Sequence, residues 1–71
     1  MQKYLVERKN DNVVVAILKN KNDNTYSFVN LTKGHICPCR FESVEKALED
    51  LDKQVEIGNV LWYEKIEYFK I

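Results

Sequence analysis

The sequence predicts an α+β fold: a four-stranded antiparallel meander in the order β-β-β-β-α, followed by a C-terminal strand or tail, with one helix packed on one face. Three observations carry this reading. Over the first two thirds of the chain, apolar runs of strand length are separated by clusters of Asn and Asp. Residues 43–58 repeat their apolar side chains at three- and four-residue steps, the period of a helix. With 71 residues there is room for one core, so 1–71 is a single small domain.

The elements follow in order. Tyr4, Leu5 and Val6 open a short strand whose wetter end carries Glu7, Arg8 and Lys9. Asn10, Asp11 and Asn12 make a turn, because Asn and Asp tolerate positive φ and bond their own backbone. Residues 13–18 are apolar at both alternating positions, which suits a central strand. Residues 20–24 form a second polar turn. Its resemblance to a calcium loop fails for want of the following Gly and the distal Glu. The third strand, 25–31, places Tyr26, Phe28 and Asn30 on one face and Val29 and Leu31 on the other. Thr32-Lys33-Gly34 fits a three-residue hairpin loop ending in a left-handed Gly. A fourth strand over 35–41 follows, and Pro38 in its middle requires that it lie at an edge or bulge there.

For the helix, Ser43 is the cap, and Glu45 sits in the first turn, where the dipole favours an anion. Val44, Ala47, Leu48, Leu51 and Val55 form its apolar stripe. Gly58 is its natural stop. In residues 60–71, β-branched and aromatic side chains favour a strand, although Trp62, Ile66 and Phe69 also fit helical steps. A core this small is marginal. A homodimer through the tail or a sheet edge would enlarge it, though nothing in the sequence demands one.

Function is read first by exclusion. Eleven basic and eleven acidic residues leave no net charge, so the basic excess of a nucleic-acid or anionic-membrane binder is missing. The longest uncharged apolar run, 13–18, falls far short of the roughly 20 residues of a membrane span. Early charges at Lys3, Glu7 and Arg8 argue against a secretory leader, and the two cysteines are read as thiols of a reducing cytoplasm. Frequent Lys, Asn, Ile, Tyr and Phe point to an AT-rich genome. With two glycines there is no phosphate-cradling loop, and with one His no credible nucleophilic triad. Asp50 and Asp52 are read as part of a solvated helix face. No catalytic residue and no cofactor is expected.

Two clusters remain. His35, Cys37 and Cys39 are the only group of metal-ligand types close in sequence. Zinc wants four ligands and only three are here, and residues two apart on a strand lie roughly 6.5–7 Å apart, too wide without a bend. The competing reading places His35, Cys37, Cys39 and Phe41 on one face, with the thiols as small buried hydrophobes beneath the helix. A redox pair is disfavoured by the Cys-x-Cys spacing. The second cluster is aromatic: Trp62, Tyr63, Tyr68 and Phe69, the side chains expected to bind a protein partner. Alternation sends Trp62 and Tyr63 to opposite faces, so about half of this group belongs to the core. With Lys65 and Lys70 nearby the same aromatics could stack bases, but Glu64 and Glu67 stand between them and repel phosphate.

Residues Tyr26-Ser27-Phe28-Val29-Asn30-Leu31-Thr32-Lys33-Gly34-His35-Ile36-Cys37-Pro38-Cys39-Arg40-Phe41, followed by Ser43-Val44-Glu45-Lys46-Ala47-Leu48, resemble small uncharacterised proteins of prophages and mobile elements in low-GC bacteria. The likeness covers about a third of the chain. It implies a small accessory protein that acts by binding a host or mobile-element protein, and it assigns no catalytic residue. The expectation is therefore a cytoplasmic, non-enzymatic protein-interaction module. The alternatives are a metal-binding protein using His35, Cys37 and Cys39, and a single-strand nucleic-acid binder.

Overall fold

The structure, a computed structural model, describes residues 2–66. Five strands and one helix occur in the order β1 (Lys3–Glu7), β2 (Asn12–Lys19), β3 (Tyr26–Asn30), β4 (His35–Ile36), α1 (Val44–Glu56) and β5 (Trp62–Ile66). All pairings are antiparallel and the sheet order is β4-β3-β2-β1-β5. The meander is as the sequence predicts, and β2, apolar on both faces, lies at the centre. The C-terminal segment adds a fifth strand beside β1, with Lys3 opposite Ile66 and Glu7 opposite Trp62.

The turn chemistry decides the registers. Arg8 N–H donates to Asp11 O at 2.8 Å, and the two side chains close a bidentate ion pair across the β1–β2 hairpin. Lys33 reaches the same carboxylate at 3.1 Å, and the two cations hold Asp11 down at about 2. In the second turn Asn24 takes the left-handed conformation at φ 60°. Asp23 there accepts from the Thr25 amide and hydroxyl, which lowers its pKa. The β3–β4 loop has four residues, one more than the Thr32-Lys33-Gly34 pattern suggests. Asn30 organises it: its side chain accepts from Lys33 N–H and its carbonyl from Gly34 N–H, with Gly34 at φ 74°. Leu31 is thereby pulled out of the strand, though its amide still donates to Val14 O.

The fourth strand is shorter than predicted: two residues pair rather than seven. Cys37 N–H still reaches Phe28 O, and Phe41 pairs again with Tyr26. Between them Pro38, Cys39 and Arg40 stand opposite the single residue Ser27. Proline has no amide to donate, so the ladder breaks and the edge bulges there. Ser27 Oγ fills the gap, donating to Cys39 O at 2.5 Å and accepting from Asn20 Nδ2 at 2.8 Å.

Helix α1 starts where Ser43 Oγ accepts from Lys46 N–H at 3.1 Å and ends at Gly58, at φ 88°. Its stripe meets one sheet face. Ala47 and Leu51 are buried with Tyr4, Val6, Val13, Ile17 and Val60, while Val44, Leu48 and Val55 pack around them beside Val15, Tyr26, Phe28, Phe41 and Tyr63. Edge-to-face rings, Tyr4 on Tyr63 and Phe28 on Phe41, close two sides. The molecule has two layers and is only 21 Å along its shortest axis.

Candidate interaction surface

Alternation along the paired strands assigns every side chain to one of two faces. The helix-covered face takes Tyr4 and Val6 of β1, Val13, Val15 and Ile17 of β2, Tyr26, Phe28 and Asn30 of β3, and Tyr63 and Lys65 of β5. The opposite face takes Lys3, Leu5 and Glu7, then Asn12, Val14, Ala16 and Leu18, then Ser27 and Val29, then Ile36, and on β5 Trp62, Glu64 and Ile66. None of these apolar residues belongs to the cluster under the helix. Among the described residues no further element of secondary structure lies over them.

This open face is apolar. Leu5, Val14, Leu18, Val29 and Ile66 are half-buried around Ala16, with Ile36 60% exposed at one edge and Trp62 43% exposed at the other. Leu31, at the end of β3, adds a side chain 44% exposed. Three of the five exposed large hydrophobics among the described residues thus stand on or beside one face; Ile57 and Leu61 lie beyond the helix end. The sequence shows the raw signal in residues 13–18, which are apolar at every position. Periodicity alone cannot say that the second face of β2 would stay uncovered.

The aromatic candidates separate as alternation predicts. Trp62 stands on the open face. Tyr63 turns under the helix, where it packs on Tyr4 and its hydroxyl donates to the Asp52 carboxylate. That bond, more than burial, pushes the Tyr63 pKa up to about 12. Tyr68 and Phe69 lie outside the described residues.

The structure places His35, Cys37 and Cys39 at the β4 edge. His35 is exposed and both thiols are half-buried, less enclosed than inert filler beneath the helix would be. The ladder ends at Cys37, so the two-residue period no longer holds Cys39 and Phe41 in line with His35. Phe41 reaches the helix side only through its separate bridge to Tyr26. Cys37 Sγ accepts from Cys39 N–H at 3.3 Å, and burial, followed by the hydrogen bond to Cys37, raises the Cys39 thiol. Among the described residues no three His, Cys, Asp or Glu side chains gather as a metal set.

Sequence reasoning missed one feature. Between the C-terminal half of the helix and the sheet lies an open cavity of about 270 Å³. Val13, Val15, Phe28 and Leu51 floor it, and Arg8, His35, Asp50 and Gln54 are among its polar groups. Arg8 is committed to Asp11, and Gln54 accepts from Asn59, so much of the polarity is already paired. No helix among the described residues is long and apolar enough to cross a membrane. Comparison with protein-family models, with curated proteins and with solved structures finds no match.

Proposed function

We propose that this chain is a non-enzymatic protein–protein interaction module that docks through the open face of its sheet. The observation that supports this most directly is the apolar face formed by Leu5, Val14, Ala16, Leu18, Val29, Ile36, Trp62 and Ile66, which no described element covers. Contiguous apolar surface of this kind on a small domain marks a binding site. Trp62 gives it a large aromatic anchor of the type that dominates binding energy.

The chemistry favours a protein over a nucleic acid. Trp62 shares its face with two carboxylates, Glu7 and Glu64, against one cation, Lys3, whereas Lys65 projects on the other side of the sheet. A carboxylate-flanked aromatic repels phosphate and receives apolar side chains well. The resemblance to prophage and mobile-element proteins suggests a host or element protein as partner, in the cytoplasm. The test is capture by tagged chain with face variants beside wild type. Proteins retained by wild type and by Glu49→Lys, but lost with Ile36→Lys, support the reading. Retention unaffected by Ile36→Lys and Trp62→Ala refutes it.

A further inference from the structure

We infer that the cavity between α1 and the sheet is a ligand site for a small aromatic amine that carries a hydrogen-bond acceptor at its far end. The site lies on the helix-covered side of the sheet, so it neither uses the docking face nor depends on it.

Three features carry it. The first is size and lining. The cavity measures about 270 Å³, with Val13, Val15, Phe28 and Leu51 as its apolar floor. An apolar cavity of about 150 Å³ already takes a benzene ring, so this one has room for a substituted ring of about ten to twelve heavy atoms. Phe28, held edge-to-face by Phe41, offers a fixed ring for an aromatic ligand to pack on. The second is a buried amide. Asn30 is 9% exposed and lines the cavity. Its Oδ1 accepts from Lys33 N–H at 2.9 Å, which fixes the side chain, but Nδ2 donates to no group among the described residues. No buried side-chain polar atom among them is sealed off without a partner, so Nδ2 opens onto the cavity. A fixed donor in apolar surroundings selects a ligand with an acceptor, because a purely apolar occupant leaves it unsatisfied.

The third is charge. Of the described lining residues, Arg8 and Asp50 carry a formal charge. Arg8 is held by both carboxylate oxygens of Asp11, at 2.7 and 2.8 Å. Asp50 is half-buried on α1 and pairs with no cation among the described residues. The uncommitted charge is therefore negative, and it calls for an ammonium. Asn30 belongs to the sheet and Asp50 to the helix, so the two groups stand on opposite walls. A ligand that spans them presents its acceptor to one and its amine to the other.

Nuclear magnetic resonance titration of the isotope-labelled whole chain tests this, with para-acetylbenzylamine as the probe. It joins a ketone acceptor, a ring and an ammonium in about eleven heavy atoms, so a dissociation constant of about a millimolar or tighter is expected. Shifts should appear at the amides of Val13, Val15, Phe28 and Leu51 and at the side-chain amide of Asn30. Para-isopropylbenzylamine has the same shape without the acceptor and should bind at least ~3-fold more weakly. Para-acetylbenzoate reverses the charge and should bind at least ~5-fold more weakly, while Asp50→Asn should weaken the amine ~3-fold. Asn30→Asp keeps the Oδ1 that Lys33 N–H needs and replaces the donor, so it should abolish the preference for the ketone over the isopropyl group. Should that variant fail to fold, the three probes on the wild-type chain still decide. No shift at the lining residues up to about 10 mM probe overturns the inference. Equal affinities for the three probes overturn it as well, since they would mark an unselective apolar hollow. Shifts confined to Leu5, Val14 and Trp62 also overturn it and assign the binding to the docking face.

Discussion

Truncating Leu51 to alanine separates the two faces of the sheet energetically. Leu51 is 6% exposed and sits in the cluster that joins α1 to Val6, Val13 and Val60. Buried Leu→Ala changes cost about 2–5 kcal/mol, the spread reflecting how much void is left behind. Leu51 also borders the open cavity of about 270 Å³. Its removal therefore enlarges a space that water already reaches, and the cost falls toward the lower end, about 2–3 kcal/mol. A domain of this size holds about 4–10 kcal/mol in all, so the melting temperature should fall by about 10–20 °C. Leu18→Ala on the open face removes the same atoms from a half-exposed site and should cost ~1 kcal/mol. Urea unfolding followed by far-UV circular dichroism gives both values at unchanged m. A loss under ~1 kcal/mol for Leu51→Ala, or an equal loss at Leu18, would mean that the helix does not cover the face described, and the open-face argument would fall with it.

Three further outcomes are expected. Ser43→Ala removes the oxygen that accepts from Lys46 N–H and should cost ~1 kcal/mol, with Ser43→Gly closer to wild type by thermal melting. Tyr63 should ionise only near pH 12 in an absorbance titration, and Asp52→Asn should return it toward the ordinary value. Because its folded pKa is raised, from 10.0 to about 12, its contribution is complete below pH 10 and is lost as the pH rises toward 12. Asp11 runs the other way. Its pKa is depressed, from 3.8 to about 2, so the contribution is present above pH 4 and lost as the pH falls toward 2. Carboxyl NMR should report that titration, and an Asp11 midpoint at the ordinary carboxylate value would discount the Arg8 and Lys33 contacts.

Local chemistry made much of the fold legible. Ser43 and Gly58 bracket α1 because capping and the left-handed stop are satisfied within a few residues. Pro38 announced the broken edge because a missing amide has the same consequence in any sheet. The placement of β5 beside β1 was not legible, since it depends on which distant edge is free when the chain returns. Among the site residues, alternation correctly divided Trp62 from Tyr63, but it failed at Cys39, where a bulge resets the period. The open face was written plainly in β2, yet its exposure follows from a count of covering layers, which no single segment encodes.

The pairing of Lys3 with Ile66 has a kinetic consequence. During synthesis β1 can zip onto β2 early, but its other flank has no strand to meet until Ile66 has left the ribosome. Hairpins across tight turns form in microseconds, while closing a loop nearly as long as the chain is slow. The nascent molecule thus waits with β1 as a raw edge until β5 emerges to cover it.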